Sequence, residues 1–248
     1  AMGIQYLEEQ RLCDTDEKPV VICSLGDACV TEGEVSEAFH MAALKQLPII
    51  FVVQDNEWDI SAHAKEIRTQ NAFEYAQGFK GLEAMTIDGT DFVNSYQVLE
   101  ETIEKVRKER RPFLIHAEVP LLNHHTSGVR MEWYRDDIKE QRKRDPFPKF
   151  KAQLKEHGIG IADLINLESR AKKTVEEDYQ LALKEEDPTP EDLFTHDFAS
   201  TPITEEKGER EPAGKEPTVM VDSALFAVQE LMEKHPEVRW NVTLETNR

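Results

Sequence analysis

Val20-Val21-Ile22-Cys23-Ser24-Leu25 runs into Gly26-Asp27-Ala28-Cys29, and Ile49-Ile50-Phe51-Val52-Val53 runs into Gln54-Asp55-Asn56-Glu57-Trp58-Asp59-Ile60-Ser61. Both apolar runs have strand length and are rich in β-branched residues, the composition of strands covered on both faces. Between them Val35, Ala38, Phe39, Ala42, Ala43 and Leu47 fall near one helix face, and Pro48 stops that helix. Strand, helix and strand in so short a span make a parallel crossover unit. Open sheets of this kind bind ligands at the carboxyl ends of their strands. Asp27 and Asn56 both stand there. A carboxylate and a carboxamide so placed are two oxygen donors for one Mg²⁺, and a hard ion held by few protein oxygens keeps its other positions for water and a phosphate. The small residues Gly26, Ala28 and Gly33 would admit phosphate oxygens to backbone N–H groups near the helix start. Taken singly, Asp27 also reads as a helix N-cap and Asn56 as a turn residue.

The same alternation continues downstream. Met85-Thr86-Ile87 is a third apolar stretch, and Asp88-Gly89-Thr90-Asp91 is a turn with an N-cap, opening a helix that carries Phe92, Tyr96, Leu99, Ile103 and Val106. Arg111-Pro112 ends that helix, and Phe113 to Val119 reads as a fourth strand. Four strands alternating with helices give an α/β fold with a doubly wound parallel sheet. His125 follows the fourth strand closely, which puts it at the ligand edge as well.

The motif resembles that of thiamine diphosphate enzymes, a Gly-Asp-Gly followed one strand later by Asn-Asn. More narrowly, Thr31-Glu32-Gly33, Glu37-Ala38-Phe39-His40-Met41-Ala42-Ala43-Leu44, Leu47-Pro48 and Asn56 to Ser61 are similar to the α part of the decarboxylating first component of 2-oxo acid dehydrogenase complexes. The likeness is free of gaps across the motif and continues more loosely to about Phe198. It implies a sheet of the thiamine diphosphate-binding type, with thiamine diphosphate and Mg²⁺ as cofactors. It makes Asp27 and Asn56 side-chain ligands of Mg²⁺ and the main-chain carbonyl of Trp58 a third. A backbone ligand tolerates Trp in place of the family's usual Tyr. Gly26, Ala28 and Cys29 become backbone contacts to the diphosphate, and Ile60 an apolar contact to the cofactor. His125, in Asn123-His124-His125-Thr126-Ser127, matches the catalytic His beside the cofactor's reactive ring, and Thr126 falls where some relatives carry a phosphorylated Ser.

Four further positions depart from the family pattern. Ala28 replaces the third motif Gly, at a cost set by the sign of its φ. Asp55 replaces the first Asn and adds negative charge beside a site meant for an anion. Gln54 and Leu121 stand where some relatives place a phosphate-binding Arg, and each missing cation removes a charge-assisted hydrogen bond of roughly 1.5–3 kcal/mol.

With 248 residues the chain can build a sizeable core without disulfides. Cys13, Cys23 and Cys29 show no metal-ligand spacing and read as buried or free thiols. With no secretory leader and no long apolar segment, they point to a reducing cytoplasm. A net charge of −19 argues against nucleic-acid and anionic membrane partners. Residues 1–130 read as the diphosphate- and Mg-binding α/β core. Residues 131–187 read as a charged helical extension packed on it, with Phe147-Pro148 breaking the helix, and residues 188–217 as an acidic linker. Residues 218–248 open with an amphipathic helix that resembles the start of the β part of the same enzymes. The expectation is therefore a fragment of a fused α–β parent.

For the complete enzyme the resemblance implies oxidative decarboxylation of a 2-oxo acid and acyl transfer to the lipoyl group of a partner acyltransferase, in an oligomer, with the cofactor carrying the carbanion chemistry. The Glu that activates the aminopyrimidine would lie in the β part, so the fragment alone is expected to be inactive. His124-His125-Thr126 leans towards the branched-chain subgroup over pyruvate. The alternatives are a transketolase-like or acetoin-cleaving enzyme, and a non-catalytic partner-binding module.

Overall fold

The computed structural model describes residues 1–10, 18–125, 130–195 and 218–235. Helix α1 (Met2–Glu9) precedes β1 (Val21–Gly26), and α2 (Gly33–Lys45) leads to β2 (Ile49–Asp55). Two short helices, α3 (Ala64–Ile67) and α4 (Ala72–Ala76), come before β3 (Glu83–Asp88); α5 (Phe92–Glu109) then returns to β4 (Phe113–Glu118). The helices α6 (Ile138–Lys143), α7 (Pro146–Glu156) and α8 (Ile161–Ala182) follow, and α9 (Met220–Lys234) is the last described. The chain divides into two compact units, 1–165 and 166–248. The sheet and the candidate site lie in the first. In the second, the described residues form the remainder of α8, a short 3-10 turn at Pro190–Phe194, and α9. Among the described residues, no helix is long and apolar enough to cross a membrane.

All strand pairs are parallel, in the order β1-β2-β4-β3. Right-handed crossovers explain which face each helix covers. The steps from β1 to β2 and from β2 to β3 run in one direction across the sheet, and the step from β3 back to β4 runs in the other. Accordingly Phe39 and Ala42 of α2 share a core with Ala72 and Ala76 of α4, packed on Phe51, Val53 and Leu114. Val98, Leu99, Ile103 and Val106 of α5 pack with Ile50, Ile87, Phe113 and Ile115 in a separate cluster. The sheet is thus doubly wound, as the alternation of strands and helices implies.

Two local expectations are corrected. β1 is an edge strand whose residues alternate between half-buried and exposed, with Ile22 53% exposed, so its apolar run does not signify cover on both faces. It is the central β4 that is buried on both. The break expected at Phe147-Pro148 falls earlier, between the end of α6 at Lys143 and the start of α7 at Pro146; Pro146 and Pro148 occupy the first turn of α7, where a missing N–H costs nothing, and Asp145 caps that turn by accepting from Phe147 N. The N-cap at Asp91 is as expected, its carboxylate accepting from Asn94 N at 3.1 Å.

Candidate functional site

β1 and β2 pair with Gly26 beside Gln54, so the next residues on the carboxyl edge are Asp27 and Asp55, one strand spacing apart. Asn56 lies one position further. Asp27 occupies the N-cap position of a single 3-10 turn, Ala28–Thr31, yet its side chain makes no capping bond. The plain N-cap reading therefore fails. The residue is 1% exposed, and its Oδ2 has no hydrogen-bond partner. Burial first, and the charge of Asp55 next, push this carboxyl up to about 6 against the pull of Arg68.

Arg68 is the nearest cation. Its Nη2 donates to Asp55 Oδ1 at 2.7 Å and lies 2.9 Å from Asp27 Oδ2, close enough for an ion pair but not aligned as a hydrogen bond. Asp55 is far better held than Asp27. Oδ1 also accepts from Glu57 N at 3.0 Å, and Oδ2 meets His116 Nε2 at 2.8 Å. An ionised carboxylate can only accept, so Nε2 carries the proton, and Nδ1 is left to face Thr86 Oγ1 at 3.1 Å. Burial alone would raise Asp55, but the His116 and Arg68 bonds outweigh it and hold the carboxyl well below its usual range. The extra negative charge at position 55 is thus neutralised within the chain.

The loop after β2 is wound tightly. Asn56 Oδ1 accepts from Trp58 N at 3.0 Å, which is the turn chemistry read from sequence; a carbonyl oxygen has a second lone pair, so the turn does not exclude a metal. Glu57 between them has φ 64°, a left-handed conformation that side chains rarely take. Glu57 O and Ala62 O, not Trp58 O, accept the bonds from Ala64 N and Asp59 N that close the loop. Ala28 does not have positive φ, so the loss of the motif Gly carries no backbone strain. Cys29 is exposed and its thiol free, and Ile60, the expected apolar contact, is exposed as well.

Trp58 is buried, its Nε1 donating to Asp137 Oδ2 at 3.1 Å and its ring beneath the Arg135 guanidinium at 5.3 Å. Arg135 in turn donates to Asp137 Oδ1 at 2.9 Å and to the carbonyls of Leu121 at 3.0 Å and Asn123 at 3.2 Å. One buried guanidinium so ties the loop after β2 to the segment leading to His125. His125 itself is exposed. Thr126 and Cys13 lie outside the described residues, as do 196–217 and 236–248.

The structure therefore joins Asp27 to the Asp55–Asn56–Trp58 loop through Arg68, and links the His125 segment to that loop through Arg135 and Asp137. Sequence reading missed Arg68, His116, Arg135 and Asp137. A buried His inside an apolar strand is the one signal that was available, since such a group needs a partner.

The family described as dehydrogenase E1 component matches residues 9–191. The pyruvate dehydrogenase E1 component subunit alpha of Porphyra purpurea is 31% identical over 194 residues, 77% of this chain and 56% of that protein. The 3-methyl-2-oxobutanoate dehydrogenase subunit alpha of Mycobacterium tuberculosis is 31% identical over 147 residues, 58% of this chain and 40% of its own length. The transketolase of Campylobacter jejuni subsp. jejuni NCTC 11168, a solved structure, overlaps 58% of this chain and 24% of its own at 22% identity and a TM-score of 0.39. The chain spans about half the length of the curated relatives it matches. By the match across residues 9–191, the chain belongs to the dehydrogenase E1 component family.

Proposed function

We propose that the chain provides the Mg²⁺- and diphosphate-holding half of a thiamine diphosphate-dependent 2-oxo acid dehydrogenase component. The observation that carries this reading is Asp27, a buried carboxylate at the carboxyl edge of a parallel sheet with an oxygen that no hydrogen bond satisfies. Its contact with Arg68 is an ion pair without an aligned hydrogen bond, and a divalent cation is the other kind of partner that holds such a group. Among the described residues no three His, Cys, Asp or Glu side chains converge as a metal cluster. The proposed donor set does not need one, because it is one carboxylate, one carboxamide and one main-chain carbonyl. The residues present fit the group.

Asp27, Asn56 and the carbonyl of Trp58 would hold the ion. Gly26 and the backbone at Ala28 and Cys29 would receive the diphosphate, and Ile60 would meet the apolar part of the cofactor. Bound there, thiamine diphosphate supplies the electron sink for decarboxylation of a 2-oxo acid. His125, which follows the Leu121 and Asn123 carbonyls that Arg135 binds, would move a proton near the reacting carbon. The β part of the enzyme, fused or separate, and a lipoyl-bearing acyltransferase are the partners in this proposal, in an oligomer, and the fragment alone is inactive. Relatives are named for pyruvate and for branched-chain substrates alike, and the His124-His125 pair favours the branched-chain group. The free thiols of Cys23 and Cys29 support a reducing cytoplasm as its place.

One observation favours a module that needs no metal: Arg68 already sets a positive charge beside Asp27. Calorimetric titration with thiamine diphosphate, with and without Mg²⁺ and with a β part supplied, separates the two. The enzyme reading expects Mg²⁺-dependent binding that Asp27→Ala abolishes. Absence of binding with the β part present overturns it in favour of the module.

A further inference from the structure

We propose that Arg68 is an exchangeable internal cation, hinged on Asp55, that pairs with Asp27 in the metal-free chain and gives up that contact when a divalent ion is taken up. The proposal rests on reading Asp27 as a metal ligand, and it assigns the Asp55–Arg68 pair the setting of metal affinity.

The two ends of the Arg68 contact are unequal. Towards Asp55 the guanidinium makes an aligned hydrogen bond, and that carboxylate is itself fixed by Glu57 N and His116. Towards Asp27 the same Nη2 makes only an ion pair, and the carboxylate has no capping bond to fix it. Charge-assisted hydrogen bonds are the strong ones, so the Asp27 end is the one to release.

Mg²⁺ takes carboxylate oxygens at about 2.0–2.1 Å and is strongly repelled by a second positive charge bound to the same oxygen. Mg²⁺ and Arg68 therefore exclude each other at Asp27 Oδ2. Arg68 has somewhere to go. It follows the last residue of α3 in an extended conformation, φ −147° and ψ 149°, on the connector between two capping boxes, His63 with Glu66 and Asn71 with Glu74. That connector borders two clefts of about 430 Å³ each, one towards Val30 and Tyr75, the other towards Glu74 and Arg144. Nη1 is buried without a hydrogen-bond partner, so a rotation that keeps Nη2 on Asp55 sacrifices no other bond of the guanidinium. Asp at position 55, in place of the family's Asn, is what gives Arg68 its hinge.

The test is Mg²⁺ binding to the 248-residue chain, read by calorimetry and, with Mn²⁺, by electron paramagnetic resonance. Removing the competitor with Arg68→Gln should tighten Mg²⁺ binding about tenfold or more, because the competent state no longer has to be freed from the ion pair. Arg68→Lys, which keeps charge but loses the planar fork, should fall between Arg68→Gln and wild type. Asp27→Asn should abolish binding in either background. Should Arg68→Gln fold poorly, the wild-type chain still reports. Amide exchange across residues 64–71 should change on adding Mg²⁺, because the Arg68 side chain leaves Asp27 while it keeps Asp55. If wild type binds Mg²⁺ and Arg68→Gln binds it no better, or exchange in 64–71 does not change, the latch is wrong while the metal site stands. If no variant binds Mg²⁺ or Mn²⁺ even with thiamine diphosphate and a β part supplied, the metal site is wrong and the latch with it.

Discussion

Asp55 accepts from three partners, and each acceptance changes what its neighbours can do. With Oδ1 taken by Glu57 N and Arg68, and Oδ2 by His116, its charge is spent before any ligand arrives. Removing Asp55 leaves Glu57 N and His116 Nε2 without their acceptor, while Arg68 keeps Asp27. Asp55→Ala should therefore cost about 1–3 kcal/mol for each of the two in urea unfolding. Arg68→Gln should cost much less in the Asp55→Ala background than alone, a coupling that a double-mutant cycle measures directly. Trp58 poses a different question, because its proposed metal ligand is a carbonyl and its side chain serves packing. Trp58→Phe keeps a ring beneath Arg135 and deletes only the Nε1 bond to Asp137, whose carboxylate retains Arg135. The expected result is a loss of about 1–2 kcal/mol in thermal or urea unfolding with Mg²⁺ affinity unchanged. A large loss of Mg²⁺ affinity would show that the indole itself shapes the ion site.

Helix α7 is secured to the start of α5 through Asp91 and to the end of β3 through Lys149, which meets Asp88 Oδ2 at 3.0 Å. Asp91 caps α5, accepts from Gln153 Nε2 at 2.9 Å and pairs with Lys149 at 3.2 Å, while Phe150 stacks on Phe92 with centroids 4.3 Å apart. The Gln153 bond foremost, then Asn94 N, holds the Asp91 carboxyl down to about 2 from its ordinary 3.8. A folded value below the unfolded one means the unfolded chain binds more protons in that window. Stability from Asp91 is therefore complete above pH 4 and disappears as pH falls to about 2. Melting temperatures of wild type and Asp91→Asn should differ at pH 7 and converge by pH 2, with amide protection in α7 lost first. None of this docking is visible in sequence, where Pro146 and Pro148 look like an interruption. Long elements were legible: α2, α5 and the four strands each declare themselves by period and by turn residues at their ends. α3 and α4 were not, because helices of four and five residues carry no readable period and rest on capping boxes, one of them built on a His. Arg68 hides in that stretch, with its partners thirteen and forty-one positions away, and no spacing rule connects them. The carboxyl-edge position of Asp27 and of Asn56 was legible because each follows an apolar strand directly.

Strand composition shows that a segment can be buried, not how much of it is. β1 and β4 are both apolar runs, yet β4 lies between β2 and β3 and is covered on both faces, while β1 forms the edge and leaves Ile22 more than half exposed. Position in the strand order decides this, and order follows from the direction of each crossover, which no single strand encodes. The difference has a measurable consequence within this chain. Ile115, fully buried at the middle of β4, belongs to the core shared with α5, so Ile115→Ala should cost about 2–5 kcal/mol through lost transfer energy and the cavity left behind. Ile22→Ser removes an exposed side chain and should change unfolding free energy by no more than about 0.5 kcal/mol, the usual range for a surface site away from special contacts. Urea melts of the two variants at equal concentration give the comparison. If Ile22→Ser proved as costly as Ile115→Ala in the 248-residue chain, the face of β1 that carries Ile22 would have to be covered in solution.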